Sequence, residues 1–157
     1  MKRKFLVLAM AMLAALAGPA MADIPADGAG LSGLYGGSYQ CEDGEHGVML
    51  DLSFEERPAA SGLRVTGTLG FFPVLAGTAG EFAQVAGSFT ILGLLGEDGR
   101  ITFRHQAWLV EPQGYGAANF NGRLTRRDDG LWQIAGTPLA GANSDFCSDM
   151  IATRFLP

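Results

Sequence analysis

The 157-residue sequence predicts an all-β protein, an eight-stranded antiparallel meander closing into a small barrel with one disulfide. Three observations predict it. Beyond an apolar N-terminal run, apolar residues recur with a period of two rather than 3.6, and 23 glycines leave no room for amphipathic helices. Eight such alternating segments are separated by short stretches of Gly, Pro, Asp and Asn. The two cysteines, Cys41 and Cys147, stand at the end of the first segment and near the start of the last. Turns of a meander alternate between two ends, so both cysteines fall at the same end and can bridge a seam between strands one and eight. A β-sandwich with Greek-key crossings also brings them together and is the alternative architecture.

The N-terminus reads as a secretory signal. Lys2, Arg3 and Lys4 precede "FLVLAMAMLAALA", an apolar core of 13 residues, and "PAMA" places Ala20 and Ala22 at the small positions before a cleavage site. A membrane span needs about 20 apolar residues. Cleavage after Ala22 makes Asp23 the first mature residue, and no cysteine follows it to carry a lipid anchor. The expected location is the periplasm or the medium, where an even cysteine count implies one disulfide. Residues 23–33 are expected to form a flexible lead-in, and 34–157 one β-barrel-like domain.

The strands follow in order. "GLYGGSYQC" is the first. In "VMLDLSFEE", Val48, Leu50, Leu52 and Phe54 share one face, and Asp51, Ser53 and Glu55 share the other. "RVTGTLGFF" aligns Val65, Leu69 and Phe71; "QVAGSFTI" aligns Val85, Phe89 and Ile91. "RITFRHQAWLV" aligns Ile101 and Phe103, "NFNGRLTR" Phe120 and Leu124, and "LWQIAG" Trp132 and Ile134. "FCSDMIATRF" closes the chain. These inward positions are the expected core. His105 shares the phase of Ile101 and Phe103 and is expected inside, neutral and hydrogen-bonded. Trp108 is out of phase and is expected on the outer wall unless a bulge turns it inward. Gly67, Gly87, Gly122 and Gly136 fall on the apolar face of four strands, where a tightly coiled barrel needs bends and room for large neighbours.

Charge narrows the function. Removing the signal leaves 135 residues with eight arginines, no lysine and 16 acids, a net charge of −8. Nucleic acid and anionic lipid both demand basic patches, so neither is an expected partner. A membrane-spanning barrel is disfavoured because the strands read as shorter than the 9–11 residues such spans use and show no aromatic girdles. Catalytic motifs are absent: there is no G-x-S-x-G, only His46 and His105 as histidines, and no phosphate-binding glycine fingerprint. "CEDGEHG" offers Glu42, Asp43, Glu45 and His46, with Asp145 and Asp149 flanking Cys147, a set that calcium or zinc would accept, but the spacing matches no EF-hand loop and acidic turns are common, so no metal or cofactor is assigned. His46 is expected to be solvated.

Loop placement points to one end. The cysteine end receives "EDGEHG", "FPVLAGTAG", "EPQGYGA" and "LAGANSD"; the other receives "ERPAASG", "LGEDG" and "RRDDG". The second set are tight polar turns. The first are longer, and one is apolar, as a binding end of a barrel is. Tyr115, Phe72 and His46 are the expected contact surface there.

The segments "GSYQCEDG" and "WLVEPQGYGAANFNGRL", with a late cysteine before "ATRF", resemble a recurrent small exported bacterial β-domain. Its pattern is G-x-Y-x-C, then W-x-x-x-P-x-G-Y, then C. The residues that match are Gly37, Tyr39, Cys41, Trp108, Pro112, Gly114, Tyr115 and Cys147. More distantly, the Y-x-C opening with a late cysteine is similar to periplasmic C-type lysozyme inhibitors, which are eight-stranded barrels. This chain lacks their serine-glycine segment followed by Trp-x-Lys-Gly, apart from a short "ASGLR". The expected function is therefore a non-catalytic binding module of the cell envelope, for a protein or a small apolar ligand. Inhibition of a hydrolase such as lysozyme is the alternative, and a small hydrolase using His105 or the acidic loop is the third reading.

Overall fold

The computed structural model describes residues 23–41, 44–57, 60–74, 86–140 and 147–156. The expected signal peptide with its expected cleavage after Ala22, and Val85, Glu42, Asp43 and Asp145, lie outside these residues. Eight strands run in chain order: β1 (Gly33–Cys41), β2 (Gly44–Glu56), β3 (Leu63–Pro73), β4 (Gly87–Leu95), β5 (Arg100–Val110), β6 (Ala118–Arg126), β7 (Trp132–Ala140) and β8 (Met150–Leu156). Each pairs antiparallel with its neighbour in sequence, and β1 pairs with β8, so the sheet is a closed barrel. The meander is realised and the sandwich is not. Cys41 and Cys147 form the disulfide across the β1–β8 seam, 106 residues apart in sequence with Cα atoms 4.0 Å apart.

Alternation decides what lies inside. Val48, Leu50, Leu52 and Phe54 on β2 are buried, as are Val65 and Phe71 on β3, Phe89 and Ile91 on β4, Ile101 and Phe103 on β5, Phe120 and Leu124 on β6, and Trp132 and Ile134 on β7. Leu69 packs against this core while staying partly exposed. The outer face carries exposed Asp51, Ser53, Glu55, Arg64, Thr102, Arg104, Asn121 and Arg123. The strands are seven to thirteen residues long; β2 extends through the glycine-containing Gly44–Gly47 stretch, while β8 is shorter than its sequence segment.

The in-phase glycines mark where strands approach too closely for side chains. A Cβ on Gly67 would collide with the Asp51 carbonyl of β2, and one on Gly136 would collide with the Asn121 carbonyl of β6. Gly136 faces Gly122 in the β6–β7 register. Gly87 opens β4 rather than lying mid-strand, and a Cβ there would meet the Phe71 ring at 2.6 Å.

Residues 23–32, expected as a flexible lead-in, fold as hydrogen-bonded turns under the end opposite the disulfide. The Gly28 N–H donates to the Pro25 carbonyl (2.9 Å) and the Leu31 N–H to the Gly28 carbonyl (3.0 Å). Leu31 is fully buried. Three contacts tie this segment to the barrel. The Tyr35 hydroxyl donates to the Leu31 carbonyl (2.6 Å), and the Phe54 N–H donates to Ser32 Oγ (3.0 Å). Arg154 donates from Nε (3.1 Å) and Nη2 (2.7 Å) to the Ser32 carbonyl. Apolar packing with satisfied backbone carbonyls thus plugs this end.

Burial pushes the Tyr35 phenol well above its ordinary range, and the nearby Arg154 charge offsets only part of that. An unfolded tyrosine ionises near pH 10. Below that pH both states hold the proton and Tyr35 contributes no slope. Above it the unfolded chain releases a proton that the folded chain keeps, so stability falls as pH rises. Chemical denaturation between pH 8 and 11 will show this decline (roughly the window around the free tyrosine value), and Tyr35→Phe will flatten it. Replacing Cys41 and Cys147 together by Ser will cost about 2–5 kcal/mol in the same assay. The oxidised wild-type chain will weigh less than its reduced form by the two thiol hydrogens lost in the bond.

Candidate functional site at the disulfide end

The site starts with two irregularities in β5. Up to His105 the β4–β5 ladder is regular, with Leu95 opposite Ile101, Gly93 opposite Phe103 and Ile91 opposite His105. Thr90 then faces Ala107, so Gln106 is an extra residue. Phe89 faces Trp108 and Ser88 faces Val110, so Leu109 is a second. Thr90 Oγ1 closes the first bulge by accepting from the Ala107 N–H (3.2 Å) and donating to the Ala107 carbonyl (3.3 Å).

An extra residue inverts strand phase. Trp108 therefore turns inward, although it lies three positions from His105, and it packs against the core. The simple alternation that put it on the outer wall is corrected by this bulge. Its ring stands edge-on to Phe89 (centroids 5.2 Å, planes 81° apart). His105 tilts against both, 5.1 Å from Phe89 and 5.2 Å from Trp108. Phe71 meets Trp108 edge-on at 6.4 Å.

The loop after β5 completes the set. Pro112 is buried, and the Tyr115 N–H donates back to its carbonyl (3.3 Å) through a turn that Gly114 permits with φ 81°. The turn lays Tyr115 nearly parallel over Phe71 (5.8 Å, 23°). Phe71, Phe89, His105, Trp108 and Tyr115 thus form one continuous cluster of rings. Face and edge geometries of this kind add about 0.5–1.5 kcal/mol per pair beyond buried area.

The β5–β6 wall is thin beside this cluster. Its ladder runs only from Arg100–Arg123 to Phe103–Phe120. Above it the Asn119 side chain takes over, its Oδ1 accepting from the His105 N–H (3.2 Å). His105 is inside, as its phase implied, but its imidazole Nε2 is buried with no hydrogen-bond partner among the described residues.

The expected trio does not form one surface. His46 is not solvated: β2 begins at Gly44, so His46 is an inward strand residue, 3 % exposed, stacked on its register partner Tyr39 (5.2 Å, 13°). Phe72 sits on the outer wall, 42 % exposed, its ring lying over Gly47. Tyr115 joins Phe71 instead. Phe71 and Phe89 are in the cluster and were legible from the sequence only as core. Their role there follows from the bulges.

Acid–base and metal chemistry find little here. Among the described residues no group of three or more His, Cys, Asp or Glu is placed to hold a metal. Glu45 is exposed, on the opposite wall face from His46, and the Asp149 carboxylate accepts from the Thr137 hydroxyl (2.7 Å). The ring neighbours of His105 are aromatic, not carboxylate. No protein-family model, no curated protein and no solved structure matches the chain.

Deleting Gln106 will remove the first bulge and rotate Trp108 toward solvent. In a Trp132→Phe background the emission will shift to the red, and about 1.5–3 kcal/mol of folding stability will be lost. Unchanged emission would mean that the bulge does not hold the indole inside.

Proposed function

We propose that the protein is an exported, non-catalytic binding module of the cell envelope that receives its ligand or partner at the disulfide end. The contrast between the two ends carries this reading. At the plugged end the inward residues Leu31, Leu52, Leu63, Leu95 and Leu124 are at most 2 % exposed. At the disulfide end the inward-facing Tyr39, Leu69, His105 and Trp108, with Tyr115 above them, stay partly exposed. Partly exposed aromatic rings with few polar groups are the composition of a recognition site. The disulfide is consistent with an oxidising, extracytoplasmic location, as is the signal-like N-terminus.

Two other surroundings fit less well. A lipid-facing barrel needs an outward apolar band about 25 Å tall, whereas charged Asp51 and Arg104 project from mid-wall and interrupt the exposed apolar residues, among them Met49, Leu94 and Ile151, on the outer face. No described helix is long and apolar enough to cross a membrane. The acidic mature chain remains a poor partner for nucleic acid. Closure into an eight-stranded barrel with a β1–β8 disulfide favours a second reading, inhibition of an envelope or host hydrolase such as lysozyme, since the inhibitors resembled in sequence are barrels of this kind.

Native mass spectrometry and pull-down from periplasmic extract test the first reading, with Tyr115→Ala and Asp98→Ala baits compared. Asp98 lies in the β4–β5 turn at the opposite end. The ligand or partner retained by wild type will be kept by Asp98→Ala and lost by Tyr115→Ala, with Tyr115→Ala melting a few degrees lower but both variants folded at the assay temperature. Equal retention by both baits would move the site away from the disulfide end. Titration against lysozyme tests the second reading: stoichiometric loss of lytic activity supports it.

A further inference from the structure

The ring cluster has a feature that simple core packing does not explain. A buried polar atom left without a hydrogen bond costs about 1–3 kcal/mol, and His105 Nε2 is such an atom among the described residues. The His105 ring is flanked by Phe89 at 5.1 Å and Trp108 at 5.2 Å, and its backbone is fixed by Asn119. A purely structural position would be filled as well by phenylalanine. The neighbouring rings offer a flat aromatic face and edges, with no charged side chain in the cluster.

The geometry points to a small planar aromatic molecule carrying one neutral hydrogen-bonding group as the ligand. Its ring packs among Trp108, Tyr115 and Phe71, and its polar group meets His105 Nε2. This rests on the reading of the disulfide end as the binding end and adds the chemical class of the ligand. A neutral imidazole nitrogen donates or accepts according to tautomer, so a hydroxyl, which does both, is the best-matched group. An aliphatic ligand would forgo the ring contacts. A charged one would enter an apolar cluster without a counter-ion, at a large desolvation cost. Beside His105 the β5–β6 ladder stops at Phe103–Phe120, and the Asn119 side chain rather than a backbone ladder holds the wall there.

The test is an NMR titration of the oxidised mature protein with 2-naphthol and with naphthalene, which differ only by the hydroxyl. Both probes will shift resonances of Trp108 and Tyr115, and 2-naphthol will also shift the His105 imidazole nitrogens and bind about tenfold tighter. His105→Phe keeps a ring in place. It will retain naphthalene binding and lose the preference for 2-naphthol, and His105→Gln, which restores a polar atom, will recover part of it. Equal affinity of the two probes for the wild type would overturn the ligand class while leaving the binding end intact. So would a preference that survives in His105→Phe. Shifts confined to the plugged end would overturn the ligand class and the binding-end reading together, and no shift with either probe would overturn the ligand class alone.

Discussion

An open meander of eight strands would expose the unpaired amides and carbonyls of β1 and β8, and an exposed sheet edge is a template for aggregation. Pairing Leu34–Ser38 with Ile151–Leu156 removes both edges, and the disulfide locks the seam at its upper end. Closure forces strong coiling in a barrel this small, and coiling brings neighbouring backbones together on the inside. Gly37, Gly67 and Gly93 stand where that approach is closest, each leaving a Cβ no room against a neighbouring backbone carbonyl, which is why side chains are missing there. The loss of local strand propensity at each glycine is offset by the ladder that closure completes.

Closure also gives the barrel two unlike ends. Residues 23–32 fill the mouth opposite the disulfide, held by Tyr35, Phe54 and Arg154 through two backbone carbonyls and one serine hydroxyl. A plugged, hydrogen-bonded end lets the opposite end be less densely packed without unravelling the core. At the disulfide end Tyr39, His105, Trp108 and Tyr115 are only partly covered beside buried His46, Phe71 and Phe89, and the covalent link holds β1 to the segment before β8.

The β5 bulges connect these ends. Below Gln106 the strand follows strict alternation and contributes Ile101 and Phe103 to the packed half. The bulge then re-aims the strand so that His105 and Trp108 face inward together. Without that inverted phase Trp108 would leave the cluster, and its ring contacts with Phe71, Phe89 and His105 would be lost. The second bulge, at Leu109, returns Val110 to the outside and releases the chain into the Pro112 turn.

The sequence alone determined the class, the strand count and the disulfide. Those properties rest on period-two alternation, turn residues and the cysteine positions, and each is local or nearly so. It also determined most of the core, because alternation holds wherever a ladder is unbroken, as from Val48 to Phe54. Tertiary structure decided the aromatic cluster, the place of His46 and the plug. A bulge has no signature in its own strand: Gln106 is extra only relative to Thr90 and Ile91 on the partner. His46 looks like loop because glycines surround it, and only pairing with Tyr39 and Pro73 makes it an inward strand residue. Residues 23–32 carry no regular period, and their order comes from the open barrel end they fill, a surface that exists only once β1 and β8 have met.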